Sequence, residues 1–155
     1  MARVFVVDDD RSIRDLLRIA LELEGYEVTT FGNGRQMIDA FEACSRAQQA
    51  PSAPGVILMD MMMPVMDGWA VCQYLEAHGE VLGESRLIAM SAAAEPGDEA
   101  PPLAQMLLCK PFHLDRLLEL VAAQAALLPQ GQMETPAPAP ELLPVAPLAT
   151  LRAAG

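Results

Sequence analysis

Asp8 and Asp9 close an apolar run at residues 4–7, and Asp60 closes another at 56–59. Ser91 follows a third such run and Lys110 a fourth. If these runs are strands of one parallel sheet, all five residues gather at its carboxyl ends, where open α/β sheets bind ligands. Three carboxylates placed there repel one another. At about 4 Å each pair costs roughly 1 kcal/mol in water-like surroundings and about 4 kcal/mol at an effective dielectric near 20. A hard divalent cation with oxygen ligands removes that cost, Mg²⁺ in particular, with Mn²⁺ as an alternative. The same set suits phosphoryl chemistry. A carboxylate can attack a phosphoryl group and hold it as an aspartyl phosphate. A metal, an ammonium and a hydroxyl then meet the charge on the phosphoryl oxygens. Asp60 is the candidate nucleophile, and Lys110 and Ser91 are the candidate phosphoryl contacts.

Lys110 is the only lysine; the other nine basic residues are arginines. A compact ammonium stands at the one basic position that falls on the candidate site. The whole chain of 155 residues carries 21 acidic and 10 basic side chains, a formal net charge of −11. Such a surface disfavours nucleic acid and anionic membrane, which need Lys and Arg to meet phosphate. The length fits one domain with a tail, and a 52% hydrophobic content is ample for one core. Cys44, Cys72 and Cys109 are widely spaced and lack metal-ligand spacing with His78 or His113, which suggests buried free thiols in a reducing compartment. The short apolar start ends in charge, so no export signal is expected, and no stretch is long enough to span a bilayer. The sequence reads as soluble and cytoplasmic.

The elements that must position these residues follow from two alternating periodicities. Strands are expected at 4–7, 27–31, 56–59, 86–90 and 106–109. Between them Ile13, Leu16, Leu17, Ala20 and Leu21 mark one amphipathic helix stopped by Gly25, and Met37, Ala40, Phe41 and Cys44 mark a second. Asp67 is a good N-cap for a third helix with Ala70, Val71, Tyr74 and Leu75 on its inner face. Leu114, Leu117, Leu118, Val121 and Ala122 mark a closing helix ending near Pro129. Alternation of this kind implies a parallel sheet covered by helices on both faces.

One crossover breaks the rhythm. Residues 92–105 hold Pro96, Gly97, Pro101 and Pro102, and proline inside a helix costs about 3 kcal/mol. A short or irregular fourth helix is expected there. From Pro129 the composition changes again: six of the thirteen prolines fall in the last 27 residues. The expected division is a folded domain at 1–128 and a Pro/Ala-rich, mostly disordered tail at 129–155. Leu142, Leu143, Val145, Leu148 and Leu151 leave room within that tail for a docking peptide.

Residues 6–10 (Val-Val-Asp-Asp-Asp), 60–68 (Asp-Met-Met-Met-Pro-Val-Met-Asp-Gly), 90–92 (Met-Ser-Ala) and 110–112 (Lys-Pro-Phe) carry a resemblance. In order and spacing they resemble the signature of response-regulator receiver domains of two-component systems, across about residues 1–128. The resemblance implies a flavodoxin-like α/β fold, a doubly wound five-stranded parallel sheet in the order 2-1-3-4-5. It implies Asp60 as the phosphoacceptor, loaded from the phosphohistidine of a histidine kinase or phosphotransfer protein. It further implies that Asp9 ligates Mg²⁺ directly, that Asp8 acts largely through water, and that the Met62 backbone carbonyl completes the protein ligands with Asp60. Ser91 becomes the switch hydroxyl, Lys110 pairs with the phosphoryl group, and the Ala92 backbone contacts it. Pro64, Gly68 and Pro111 shape the site, the bond before Pro111 often being cis in this family.

Two departures from the family pattern stand out. Leu107 occupies the place of an aromatic residue three before the site lysine, which puts the usual output face in question. Met62 and Ala93 stand where a side chain would orient a hydrolytic water, so a slow self-hydrolysis is expected. Plainer roles fit other residues. Asp10 reads as a first-turn charge on the helix dipole, the five methionines at 59–66 as irregular packing, and Trp69 as partly exposed near the site. The reading is thus a stand-alone receiver, a signalling protein that assists its own phosphorylation and dephosphorylation and docks onto a protein target. The rivals are a phosphorylation-independent binding module and an aspartyl-nucleophile phosphatase of the haloacid-dehalogenase type. The phosphatase would use residues 8–12 and leave Asp60 unexplained.

Overall fold

The computed structural model describes residues 2–46, 55–79 and 84–128. Five strands, β1 (Arg3–Val7), β2 (Glu27–Phe31), β3 (Val56–Asp60), β4 (Arg86–Ser91) and β5 (Ala104–Cys109), form one sheet in the order β2-β1-β3-β4-β5. Every pairing is parallel. The helices among the described residues are α1 (Arg11–Leu23), α2 (Gly34–Arg46), α3 (Gly68–Ala77) and α4 (Leu114–Ala126). This is the flavodoxin-like order expected from the sequence.

Successive strand residues point to opposite faces, so the sheet carries two cores. On one side Val4, Val6, Leu58, Ile88 and Met90 pack with Leu17 and Leu21 of α1 and Leu117 and Val121 of α4. On the other, Phe5, Val7, Ile57, Met59 and Ala89 pack with Met37, Ile38 and Phe41 of α2 and Val71 and Leu75 of α3. Because β3 is buried on both faces, it is a continuous apolar run up to Asp60.

The helix boundaries have local causes. Asp10 accepts the Ser12 and Ile13 amides and is the N-cap of α1, one position before the first turn in which its charge was expected. Gly25, at φ +96°, lets the chain leave α1 in the left-handed region. Asp67 caps α3 through the Ala70 amide, as expected.

Several faces are rotated from their sequence reading. Leu16 is half exposed, whereas Leu17, Ala20 and Leu21 are buried. On α4, Ala122 is exposed, and Leu120, Gln124 and Ala125 take inner places. The buried Gln124 is not idle, since its carbonyl oxygen accepts Arg86 Nε. Cys72 is buried, Cys109 is half-buried, and the Cys44 side chain lies outside the described residues.

Residues 92–103 contain bends and turns but no helical residue. The expected short helix is therefore an open loop here, in keeping with its prolines at 96, 101 and 102. β5 meets β4 with a register shift at Leu87/Ile88, and the Gln105 side chain repairs the ladder by accepting the Leu87 amide at 2.5 Å. The proposed tail, 129–155, lies outside the described residues.

Candidate functional site

The carboxyl ends of β1, β3, β4 and β5 bring Asp8, Asp9, Asp60, Ser91 and Lys110 to one end of the sheet. Asp8 has no exposed surface, and Asp60 is 4% exposed. Asp9, one residue on, is exposed. Each of the three aspartates offers a carboxylate oxygen, and these atoms lie within 4.8 Å of one another. Three hard anionic donors converging on one point fit a Mg²⁺-sized cation.

Lys110 reaches in from the end of β5. Its ammonium donates to Asp8 Oδ2 at 2.7 Å and lies 3.4 Å from Asp60 Oδ2. The backbone holds the carboxylates from below. Asp8 Oδ1 accepts the Asp10 amide at 2.9 Å, and Asp60 Oδ1 accepts the Met62 amide at 3.1 Å. Burial pushes the Asp60 carboxyl above its ordinary 3.8; the Met62 hydrogen bond opposes this, the Asp8 charge adds to it, and Lys110 opposes it. Burial would lower the Lys110 ammonium, but its hydrogen bond to Asp8 and the charges of Asp8 and Asp60 together hold it above 10.5. Burial thus sets the Asp60 shift against the pull of Lys110, whereas its two anionic neighbours set the Lys110 shift against burial.

The remaining candidates sit around this centre. Ser91 is buried at the end of β4, where its Oγ accepts the Ala93 amide at 3.1 Å and its carbonyl accepts the Lys110 amide at 2.8 Å. Ala92 is exposed, and the Met62 side chain is exposed above its bound amide. The Lys110–Pro111 bond is cis, and Pro111 and Pro64 lie on the surface. At Gly68 a Cβ would stand 2.7 Å from Met61 Cα and 3.0 Å from Asp60 O, so only glycine lets α3 start this close to β3. Met59, Met61 and Met63 are buried packing residues, and Trp69 is 53% exposed.

One contributor escaped the sequence reading. Arg14 Nη1 donates to the Asp8 carbonyl at 2.6 Å, tying the first turns of α1 to the end of β1. Its signal was faint, an arginine on the sheet side of an otherwise apolar arc.

Comparison with known proteins gives this geometry a family. Residues 4–122 match the model of the response regulator receiver domain. The chain belongs to the response-regulator receiver family. As a receiver it is similar to the response regulator MprA of Mycolicibacterium vanbaalenii, 36% identical over 126 residues, covering 81% of this chain and 50% of that protein. The MprA of Mycobacterium avium is 34% identical over 132 residues, covering 85% and 53%. The chain thus spans about half the length of the curated relatives it matches. Among solved structures it is similar to the response regulator TrrA of Thermotoga maritima in complex with Mg²⁺ and BeF (27% identity, TM-score 0.64, 80% of this chain and 99% of that one). It is also similar to the chemotaxis response regulator CheY4 of Vibrio cholerae (29% identity, TM-score 0.61, 80% and 98%). Receivers are parts of two-component systems and serve signalling. No helix of the described residues is long and apolar enough to cross a membrane.

Proposed function

We propose that this receiver is a phosphoacceptor switch in a two-component or phosphorelay pathway, with Asp60 as the acceptor. The observation that carries this reading is the joint placement of three carboxylate oxygens within 4.8 Å and the Lys110 ammonium 3.4 Å from Asp60. In the reaction the phosphorus–nitrogen bond of a phosphohistidine breaks as an Asp60 oxygen bonds to phosphorus, and the imidazole leaves. The donor is a histidine kinase or a phosphotransfer protein.

Asp8, Asp9, Asp60 and the Met62 carbonyl would hold the Mg²⁺, for which Mn²⁺ can substitute. Bound there, the ion supplies positive charge against the phosphoryl oxygens. The chain's own residues do the rest. The Met62 amide fixes the Asp60 carboxylate by one oxygen, and Lys110 is anchored on Asp8 within reach of a group on Asp60. Ser91 and the Ala92 backbone meet the phosphoryl group from β4, and Pro64, Gly68 and Pro111 shape the loops around it.

Loading Asp60 replaces its single carboxylate charge with a phosphoryl group carrying close to two, beside Ser91 and Lys110. Their rearrangement changes which protein surface the receiver presents to an unidentified target. The output is protein–protein recognition in the cytoplasm; direct nucleic-acid or membrane contact has no place in it. The receiver assists its own phosphorylation and dephosphorylation without being a conventional enzyme.

The phosphatase reading fares worse on one observation. It needs a second free aspartate at Asp10, but the Asp10 side chain is committed to the α1 cap. Incubation of the chain with acetyl phosphate and Mg²⁺, followed by intact mass, separates the readings. One added phosphoryl group in wild type and none in Asp60→Asn is expected. An unmodified wild-type mass would leave a phosphorylation-independent binding module.

A further inference from the structure

The loop that replaces a helix between β4 and β5 leaves a cleft of about 480 Å³ beside the acidic pocket. Met62, Trp69, Pro101 and Leu107 give it apolar walls, and Asp98 and Glu99 stand among them. Such a volume suits a few apolar side chains, not a single water layer. Its acidic members ask for a cation on an otherwise greasy occupant.

We propose that the occupant is the C-terminal segment of this same chain, residues 142–152, docked with Arg152 against Asp98 and Glu99. Three observations argue for it. First, the segment is complementary in composition: between Leu142 and Gly155 the only charged side chain is Arg152, preceded by Leu142, Leu143, Val145, Leu148 and Leu151. It brings one positive charge within a chain whose formal net charge is −11.

Second, the segment reaches. Leu128 is packed on the sheet beside Ala2 and Gly55, at the end opposite the acidic pocket. α4 has 13 residues, a climb of about 20 Å. The fourteen positions from Leu128 to Leu142 span up to about 46 Å when extended. That suffices to pass the β5 edge and enter the cleft. Third, residues 92–103 carry no helix and line the cleft as open loop, through Asp98, Glu99 and Pro101, instead of covering it.

Tethering makes weak docking sufficient. With an effective concentration of about 1 mM, a segment of intrinsic Kd about 100 μM is docked about ten to one. Met62 and Ser91 belong to the cleft as well as to the neighbourhood of Asp60. A docked segment therefore restrains the loops around the pocket, although the docking itself does not depend on phosphoryl transfer.

Trp69 is the only tryptophan and lines the cleft, so its fluorescence reads the occupant directly. The comparison is the full chain against full chains carrying Leu148→Asp with Leu151→Asp, or Arg152→Glu. Wild type is expected to show blue-shifted emission and an acrylamide quenching constant about half that of the double variant, independent of protein concentration. Arg152→Glu should fall between them and approach wild type at high salt. Equal quenching in wild type and the double variant would overturn the proposal. Protection that appears only as concentration rises would also overturn it, in favour of a second copy as the source of the segment.

Discussion

The Lys110 ammonium lies closer to Asp8, at 2.7 Å, than to Asp60, at 3.4 Å. The lysine is thus a fixed part of the buried floor before any phosphoryl group arrives, and its partner is the fully buried Asp8. Removing it isolates a buried charge. Lys110→Ala should lower stability by about 2–4 kcal/mol in metal-free buffer. Mg²⁺ should then raise the variant's Tm more than it raises wild type, measured by thermal unfolding with and without the ion. Equal Mg²⁺ shifts would mean that the ion and the lysine do not serve the same carboxylates.

Asp60 should respond in the opposite sense. Its folded-state pKa is raised, so the folded chain binds the proton more tightly than the unfolded chain does. Stability contributed by that proton is present below the unfolded carboxylate value and is lost as pH rises through the folded pKa. Without metal, Asp60→Asn should flatten this decline and stabilise the protein at pH 7 on the order of 1 kcal/mol. Urea titrations from pH 4 to 8 measure it; a less stable variant at pH 7 would contradict the account.

Gly68 offers a purely steric test. A Cβ there would meet Met61 Sδ at 2.5 Å and Met61 Cα at 2.7 Å. The sulfur can move, but the backbone carbon cannot move without shifting the loop that follows Asp60. Gly68→Ala should cost about 1–3 kcal/mol. In the proposed switch it should also slow phosphorylation by acetyl phosphate, read by intact mass over time. A neutral substitution would show that the loop has slack.

In the proposed switch, Met62 and Ala93 would set the lifetime of the acyl phosphate. Met62 is exposed beside Asp60 and carries no group able to orient water. Met62→Asn should shorten the half-life of phosphorylated protein by about tenfold, less than the roughly hundredfold or more of a positioned general base, because an amide orients water without taking its proton. Loss of the added mass after removal of the donor follows it. An unchanged half-life would place the control elsewhere.

β1, β3 and β4 were legible because strands buried on both faces are written as apolar runs, and the edge strand β2 by its Val- and Thr-rich composition; β2 is observed at its expected bounds and the others begin or end within two residues of them. The same runs located Asp8, Asp9, Asp60, Ser91 and Lys110 at one end of the sheet. Helix rotation was harder to read. Apolar spacing alone does not say which edge of the arc meets the sheet, so Leu16 counted as inner and Gln124 was passed over, although Arg86 gives it a buried partner. Arg14 left only a faint signal for a related reason, since its contact is with a backbone carbonyl and not with a charged side chain. The prolines at 96, 101 and 102 warned of a poor helix, but not that residues 92–103 would carry none.

Asp8 and Asp9 are adjacent, yet one is sealed inside and the other faces out. An extended chain sends neighbours to opposite sides, so one backbone alternation deals the anchor for Lys110 and the outward carboxylate to consecutive residues. The pair is therefore vulnerable to a change in length more than to a change in letter. Inserting or deleting a single residue within β1 would exchange inside for outside, and the pocket would fail with every one of its carboxylates still in the chain.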